Sequence, residues 1–210
     1  MAKFDLIYPT IQKYEGYYSN VSTDKGGETY AGVSRLYNPN WPGWQIVDSY
    51  KNKFPNKVIP YNYKIPDTNL DKLVQQLTYQ YFLRSGADRI NNLAIAAIVT
   101  HLYFNSADGI KNVIQKAVNL IGGNIKLDNN LGTESITAIN NANQLSLYQK
   151  IKELYIKYYT DLGNREPANR TGWLNRVNYV ISITDQWFSS NKNYIVMLLI
   201  GVSLLVILKK

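Results

Sequence analysis

The sequence predicts a mostly α-helical protein whose first half is interrupted by loops with room for a small hairpin, and whose end is one transmembrane helix. Three observations carry this. Apolar residues recur at helical spacing along most of the chain. The stretch from Ser19 to Pro66 is instead dense in Gly, Pro, Asn and Tyr, with no sustained period. Tyr194 to Leu208, YIVMLLIGVSLLVIL, runs fifteen residues without a charge before Lys209 and Lys210.

Phe4, Ile7, Ile11 and Tyr14 mark a first helix, with its regular part confined by Pro9 to the last two turns and Glu15 at its C-terminal end. Leu70, Val74, Leu77 and Tyr81 mark an amphipathic helix, and Leu93 to Phe104 is apolar enough to be the central buried one. Ile110, Val113, Ile114, Ala117 and Ile121 mark another, closed by Gly122-Gly123. Leu147, Ile151, Leu154 and Tyr158 define a long helix ending near Gly163. A segment around Trp173, Leu174, Val177 and Val180 then leads through a polar linker to the end.

At about 1.5 Å per residue, the fifteen residues Tyr194 to Leu208 cover about 22 Å of a roughly 30 Å hydrocarbon layer. Counted from Trp187, with Phe188 and Tyr194 as interfacial aromatics and the terminal lysines snorkelling, the segment is long enough to span. A buried core helix is the alternative, but such a helix keeps a polar stripe and Ser203 is the one clearly polar side chain here. The start, MAKFDLIYPTIQKYEG, has no uninterrupted apolar run, so conventional N-terminal export is not expected.

The chain has no cysteine and one histidine, His101, which leaves no thiolate site and no conventional zinc site; no metal or cofactor is expected. A net charge of +8 attracts polyanions, but no nucleic-acid-binding motif accompanies it, and nucleic acid is not an expected partner. His101, inside the most apolar helix, reads as a core histidine.

The chemistry concentrates after the first helix. Glycosidic bonds are cut by protonating the leaving oxygen while water or a carboxylate meets the oxocarbenium-like carbon. A glutamate facing the negative end of a helix dipole, flanked by Tyr14, Tyr17 and Tyr18, is favoured in its protonated form and suits the general acid. Asp24, in a wetter setting, stays ionised and can orient water, which the Thr29 hydroxyl can hold. The bland alternatives are a solvated helix-end Glu15 and a turn-forming Asp24 before Lys25-Gly26-Gly27. Candidate substrate-binding residues are Tyr18, Gly26, Gly27, Trp41, Trp44 and Asn105, with the two tryptophans of NPNWPGW offering faces for sugar stacking.

The run EGYYSNVSTDKGGETYAGVS, Glu15 to Ser34, resembles the opening of glycoside hydrolase family 108, the bacterial and phage N-acetylmuramidases. The pattern of that opening is approximately Glu-Gly-Gly-Tyr, Asp-x-Gly-Gly-x-Thr, Tyr-Gly-Ile/Val. Tyr79 to Arg89, Asn105-Ser106, LDNNLGTES and Gly172 to Val177 resemble later elements, so the likeness extends over about residues 4 to 180. It implies Glu15 as the catalytic glutamate, and Asp24 and Thr29 are similar to the Glu, Asp, Thr arrangement of phage-type lysozymes, implying a lysozyme-like helical domain. Tyr17, Ala31 and His101 depart from the pattern.

The organisation expected is a muramidase catalytic region over 1–108, a helical peptidoglycan-binding-like region over 109–181, a linker over 182–193 and a transmembrane anchor over 194–208. The expected function is a membrane-anchored hydrolase of peptidoglycan glycan strands, held by the lipid bilayer of a virion or of the host bacterium's inner membrane. A lytic transglycosylase and a non-catalytic wall-binding or virion structural protein are the alternatives.

Overall fold

The computed structural model describes residues 2–21, 27–106 and 108–207, the side chains of residues 2 and 190–207 excepted. Among these residues it is mostly helical, with one three-stranded antiparallel sheet ordered β1-β2-β3. The chain divides into two compact units, Met1–Phe82 and Leu83–Lys210.

In the first unit α1 (Ala2–Gln12) begins well before Pro9 rather than after it. Proline removes the hydrogen bond to the Asp5 carbonyl, yet Phe4, Ile7, Tyr8 and Ile11 are all buried, and that burial keeps the helix continuous. The Phe4 ring meets Tyr79 edge-on at 5.1 Å between centroids and Phe82 at 5.5 Å. Both belong to α3 (Thr68–Arg84), whose buried residues Leu70, Val74, Thr78 and Phe82 fall at every fourth position.

The expected hairpin exists in short form. β1 (Tyr18–Ser19), β2 (Thr29–Tyr30) and β3 (Val33–Ser34) pair Tyr18 with Tyr30 and Tyr30 with Val33, which puts those three on the buried face. Ala31 and Gly32 join β2 to β3 with φ of 48° and 80°. Two positive values in a two-residue loop make a primed turn, whose twist matches that of the strands. Glycine suits this; alanine there costs roughly 1 kcal/mol.

The 19–66 stretch also holds a helix where loops were expected, α2 (Gly43–Lys51), with Trp44 and Val47 inward. It starts against the Trp41 ring so closely that a Cβ on Gly43 would fall 2.2 Å from the indole, and no other residue fits there. Tyr18, Tyr30, Val33, Trp41, Trp44, Val47, Ile59, Ile65, Leu70 and Val74 form one apolar cluster.

In the second unit α4 (Leu93–Asn105) is buried without interruption from Ala94 to Leu102, as its composition demands. The Asn92 side chain caps it, accepting from the amides of Ala94 and Ile95 at 3.0 and 3.2 Å. The next expected helix opens as a π-helical turn, Ile110–Gln115, before α5 (Lys116–Leu120). The fully buried Gln115 amide is committed there to residues 128–130, donating to Asp128 and the Asn130 carbonyl and accepting from the Asp128 and Asn129 amides. α6 (Thr133–Asn141) and α7 (Gln144–Arg165) follow.

α8 runs unbroken from Pro167 to Ile207, 41 residues. Proline at its first position lacks only an amide that has no partner there. α8 packs on α7 and α4. Phe188 stacks on Tyr148 at 4.5 Å, and Lys152 pairs with Asp185 at 2.6 Å. The expected linker, 182–193, is thus helical and continuous with what flanks it. Among the described residues no helix is long and apolar enough to cross a membrane. The expected anchor, 194–208, is helical in backbone through Ile207; its side chains, and Leu208, lie outside the described residues.

His101, 1% exposed in α4, has its pKa pushed down from 6.5 to about 3, first by burial and then by the Arg176 charge. The unfolded chain takes up this proton below about pH 6.5 and the folded one only near pH 3. Stability from this group is therefore whole above pH 6.5 and falls by about 1.4 kcal/mol per pH unit between those limits. Thermal midpoints of the full chain in detergent, taken from pH 7 to 4, should fall more steeply than those of His101→Gln. Parallel pH profiles would remove this role from His101.

Candidate active site

Glu15 lies three residues beyond the end of α1, half-buried, in the bend that turns the chain toward β1. The bend stays close to the helix because the Lys13 amide donates to the Pro9 carbonyl at 3.3 Å and the Tyr14 amide to Ile11 at 3.1 Å. Beyond it the chain is held by Asn62, which sits at φ 58°. The Asn62 side-chain oxygen accepts from the Tyr17 amide at 2.8 Å, and its own amide donates to the Tyr18 carbonyl at 2.7 Å. That oxygen lies 3.0 Å from where a Cβ on Gly16 would stand, so glycine lets the two strands of chain approach this closely.

Glu15 lines a cleft of about 300 Å³ together with Tyr8, Gln12, Lys13, Tyr17, Ala31, Lys64 and Thr78. A second hollow of about 300 Å³ shares Tyr8, Gln12, Tyr17, Ala31, Lys64 and Val74 with it and adds Asp71, Lys72 and Gln75. The two form one groove between the end of α1, the β2–β3 turn and one face of α3. Its lining is mixed, aromatic and aliphatic floor with amide, hydroxyl and ammonium groups, which is the composition a saccharide needs. The Gln12 amide donates to the Tyr8 hydroxyl at 2.7 Å, and burial pushes the Tyr8 phenol up to about 12, so it keeps its proton in neutral solution.

A second cluster lies between the sheet and α2. Glu28 forms ion pairs with Arg35 Nε and Lys51 Nζ, both at 2.7 Å, and accepts a hydrogen bond from the Tyr18 hydroxyl at 3.0 Å. Arg35 reaches the two oxygens of Asp48 at 2.6 and 3.1 Å and lies 4.3 Å over the Trp44 ring. The bond from Arg35, with that from Lys51, holds the Asp48 carboxyl below its ordinary value.

Against the expected site, the structure is selective. Asp24 and Gly26 lie outside the described residues. Gly27 has φ 66°, suited to glycine, with open space beyond its Cα. Thr29 is paired with Ser19 and Ser34 on the sheet face opposite Tyr30, and it is Ala31, not Thr29, that lines the groove. Tyr18, Trp41 and Trp44, expected to bind substrate, are 3%, 7% and 3% exposed and belong to the apolar cluster. The tryptophans pack edge-on against each other at 5.1 Å, and the Trp44 indole donates to the Asn38 carbonyl at 2.7 Å. Tyr17, expected as a ring flanking Glu15 and as a departure from the family pattern, lines the cleft and is 38% exposed. Asn105 belongs to the second unit, where its amide donates to the His101 carbonyl at 3.1 Å and its oxygen accepts from Arg176.

Tyr8, Gln12, Lys64, Lys72 and Asn62 were not singled out from the sequence. The first two had a signal: four apart, they share a helix face with Glu15 near its end. Lys64 and Asn62 had none, since their places follow from long-range pairing.

Residues 8–107 match the family described as Glycosyl hydrolase 108. That match indicates a glycoside hydrolase acting on peptidoglycan, and it contains Glu15 and the whole groove. Among solved structures, that of Brucella abortus SagA is similar, with a TM-score of 0.59 at 16% identity over 89% of this chain and 95% of that one. This is a likeness of fold. No curated protein matches the chain.

Glu28→Gln leaves Arg35 and Lys51 with Asp48 as their charged partner among the described residues and should lower stability by about 1–3 kcal/mol. Chemical denaturation followed by tryptophan fluorescence measures this through Trp41 and Trp44. An unmoved midpoint would show that the cluster contributes nothing to the fold.

Proposed function

We propose that this chain is a membrane-anchored peptidoglycan hydrolase that cleaves the β-1,4 bond between N-acetylmuramic acid and N-acetylglucosamine, with Glu15 as general acid. One observation carries the proposal: within the segment matching the glycosyl hydrolase family, Glu15 lines a polar-aromatic groove directly after α1. Its proton passes to the leaving glycosidic oxygen as the C1–O bond breaks, and water supplies hydroxide to C1, its other proton restoring the acid. Tyr8 and Gln12 hold sugar hydroxyls, and the Tyr17 ring offers a face to the sugar's C–H side. Asp24 is the ionised partner in this scheme, with the Thr29 hydroxyl five residues after it. A glutamate after a helix beside a small antiparallel sheet supports the lysozyme-like reading of this region.

The anchor rests on the uncharged run Tyr194–Leu208, ended by Lys209 and Lys210, and on the helical backbone that reaches Ile207. Tethering an enzyme beside an immobile polymer raises its effective concentration there. The anchored chain works at the membrane of a virion or of the host bacterium.

The test is turnover. The full chain in detergent should clear a wall suspension and release new reducing ends. Glu15→Gln should lower that rate by at least about a hundredfold, the contribution of a positioned general acid. Equal rates would sink the assignment of Glu15. Released fragments carrying an added water by mass spectrometry identify hydrolysis; anhydro sugars would make the enzyme a lytic transglycosylase.

A further inference from the structure

The groove is more basic than a neutral saccharide requires. Beside Glu15 it carries Lys13 and Lys64, and its far half carries Lys64 and Lys72 with Asp71 as the opposing acid. Once Glu15 holds its proton, the Lys13, Lys64 and Lys72 ammonium groups face the Asp71 carboxylate among the described residues of this wall. Lys64 is only loosely committed to that carboxylate: its Nζ lies 3.9 Å from Asp71, the two side chains being 52% and 44% exposed. Such an exposed, long pair is weak, so a better-placed anion displaces it at little cost. The Lys64 Nζ also lies 5.4 Å over the Tyr17 ring, which keeps the ammonium at the groove rather than out in solvent. Lys72 stands one residue along α3 from Asp71, exposed at the far end of the same hollow.

Sugar hydroxyls do not need ammonium partners in this number. A peptide-substituted glycan does, because each peptide branch hanging from the sugar lactyl group bears free carboxylates. We propose that the far half of the groove, through Lys64 and Lys72, binds a carboxylate of that peptide branch, making the substrate a peptide-bearing strand with free carboxylates rather than glycan as such. The inference rests on the hydrolase reading above: the sugar at Glu15 and the branch beside Lys64 and Lys72 occupy one continuous groove. Binding of this kind contributes to the Michaelis complex and the transition state alike, so it acts on KM and leaves kcat alone.

The experiment compares peptide-bearing strands with the same strands after their carboxylates are capped as neutral amides. The full-length wild type should show a KM about tenfold higher on the capped strands at low salt, with similar kcat. In the double variant Lys64→Gln, Lys72→Gln the ratio of the two KM values should fall from about ten to about one. A wild-type ratio near one overturns the proposal, and so does a ratio that stays near ten in the double variant. Both lysines are exposed, and the wild-type comparison decides the matter even without the variant. Failure of the hydrolase reading is separate: it would appear as no new reducing ends from either substrate.

Discussion

The Glu28 carboxylate holds together a part of the chain that regular structure does not. The strands of the sheet are two residues long, too short to persist on their own hydrogen bonds. Glu28 stands before β2, Arg35 after β3, Lys51 at the end of α2 and Tyr18 on β1, and all converge on one carboxylate whose side chain is 12% exposed. Because it is largely withdrawn from water, these contacts weigh more than the outer bonds to Asp48, which is 48% exposed and screened. Arginine is needed at position 35: its planar fork grips Asp48 with two nitrogens, gives the third to Glu28 and lays its face on Trp44. A lysine would supply the charge without the plane.

This knot has consequences for the groove. It fixes the β2–β3 hairpin, and the hairpin's turn delivers Ala31 to the groove wall. The opposite wall comes from α1 and α3, joined through Phe4, Tyr79 and Phe82. Glu15 enters from α1 and is held in place downstream by Asn62, whose segment is in turn joined to the sheet where Tyr30 donates to the Ile65 carbonyl at 3.4 Å and accepts from the Ile65 amide at 3.2 Å. Tyr30 is fully buried, and burial pushes its phenol up to about 12, so this bridge stays uncharged in neutral solution. The groove is thus walled by three elements, each fixed by contacts outside the groove itself.

What could be read in advance follows from the range of the interactions. α3, α4 and α7 were legible because an apolar period is a local property, and Leu70, Val74 and Leu147 announce their faces without help. α2 was not, since nine residues between Pro42 and Asn52 give barely two turns, and the prolines and glycines around them signal turns. The burial of Trp41 and Trp44 was hidden for a related reason: NPNWPGW has the composition of a loop, but the close approach at Gly43 folds the two rings inward against each other. α1 ignored its proline because burial outweighed one missing hydrogen bond. Glu15 was legible through a motif; Lys64, 49 positions later, was not, because only the fold brings it to the same groove.

The same motif holds two glutamates, and spacing alone does not say which one is the acid. Glu28 has its oxygens committed to a guanidinium, an ammonium and a phenol. A carboxylate so held organises the fold and is not among the residues that line the groove. Glu15 follows the C-terminal end of a helix, where the carbonyl dipoles disfavour negative charge, and it lines the groove. The two carboxylates are therefore distinguished by their neighbours: cations and a phenol tie Glu28 into the fold, while Glu15, just past a helix end, lines the groove and is the residue that the proposed reaction takes as its acid.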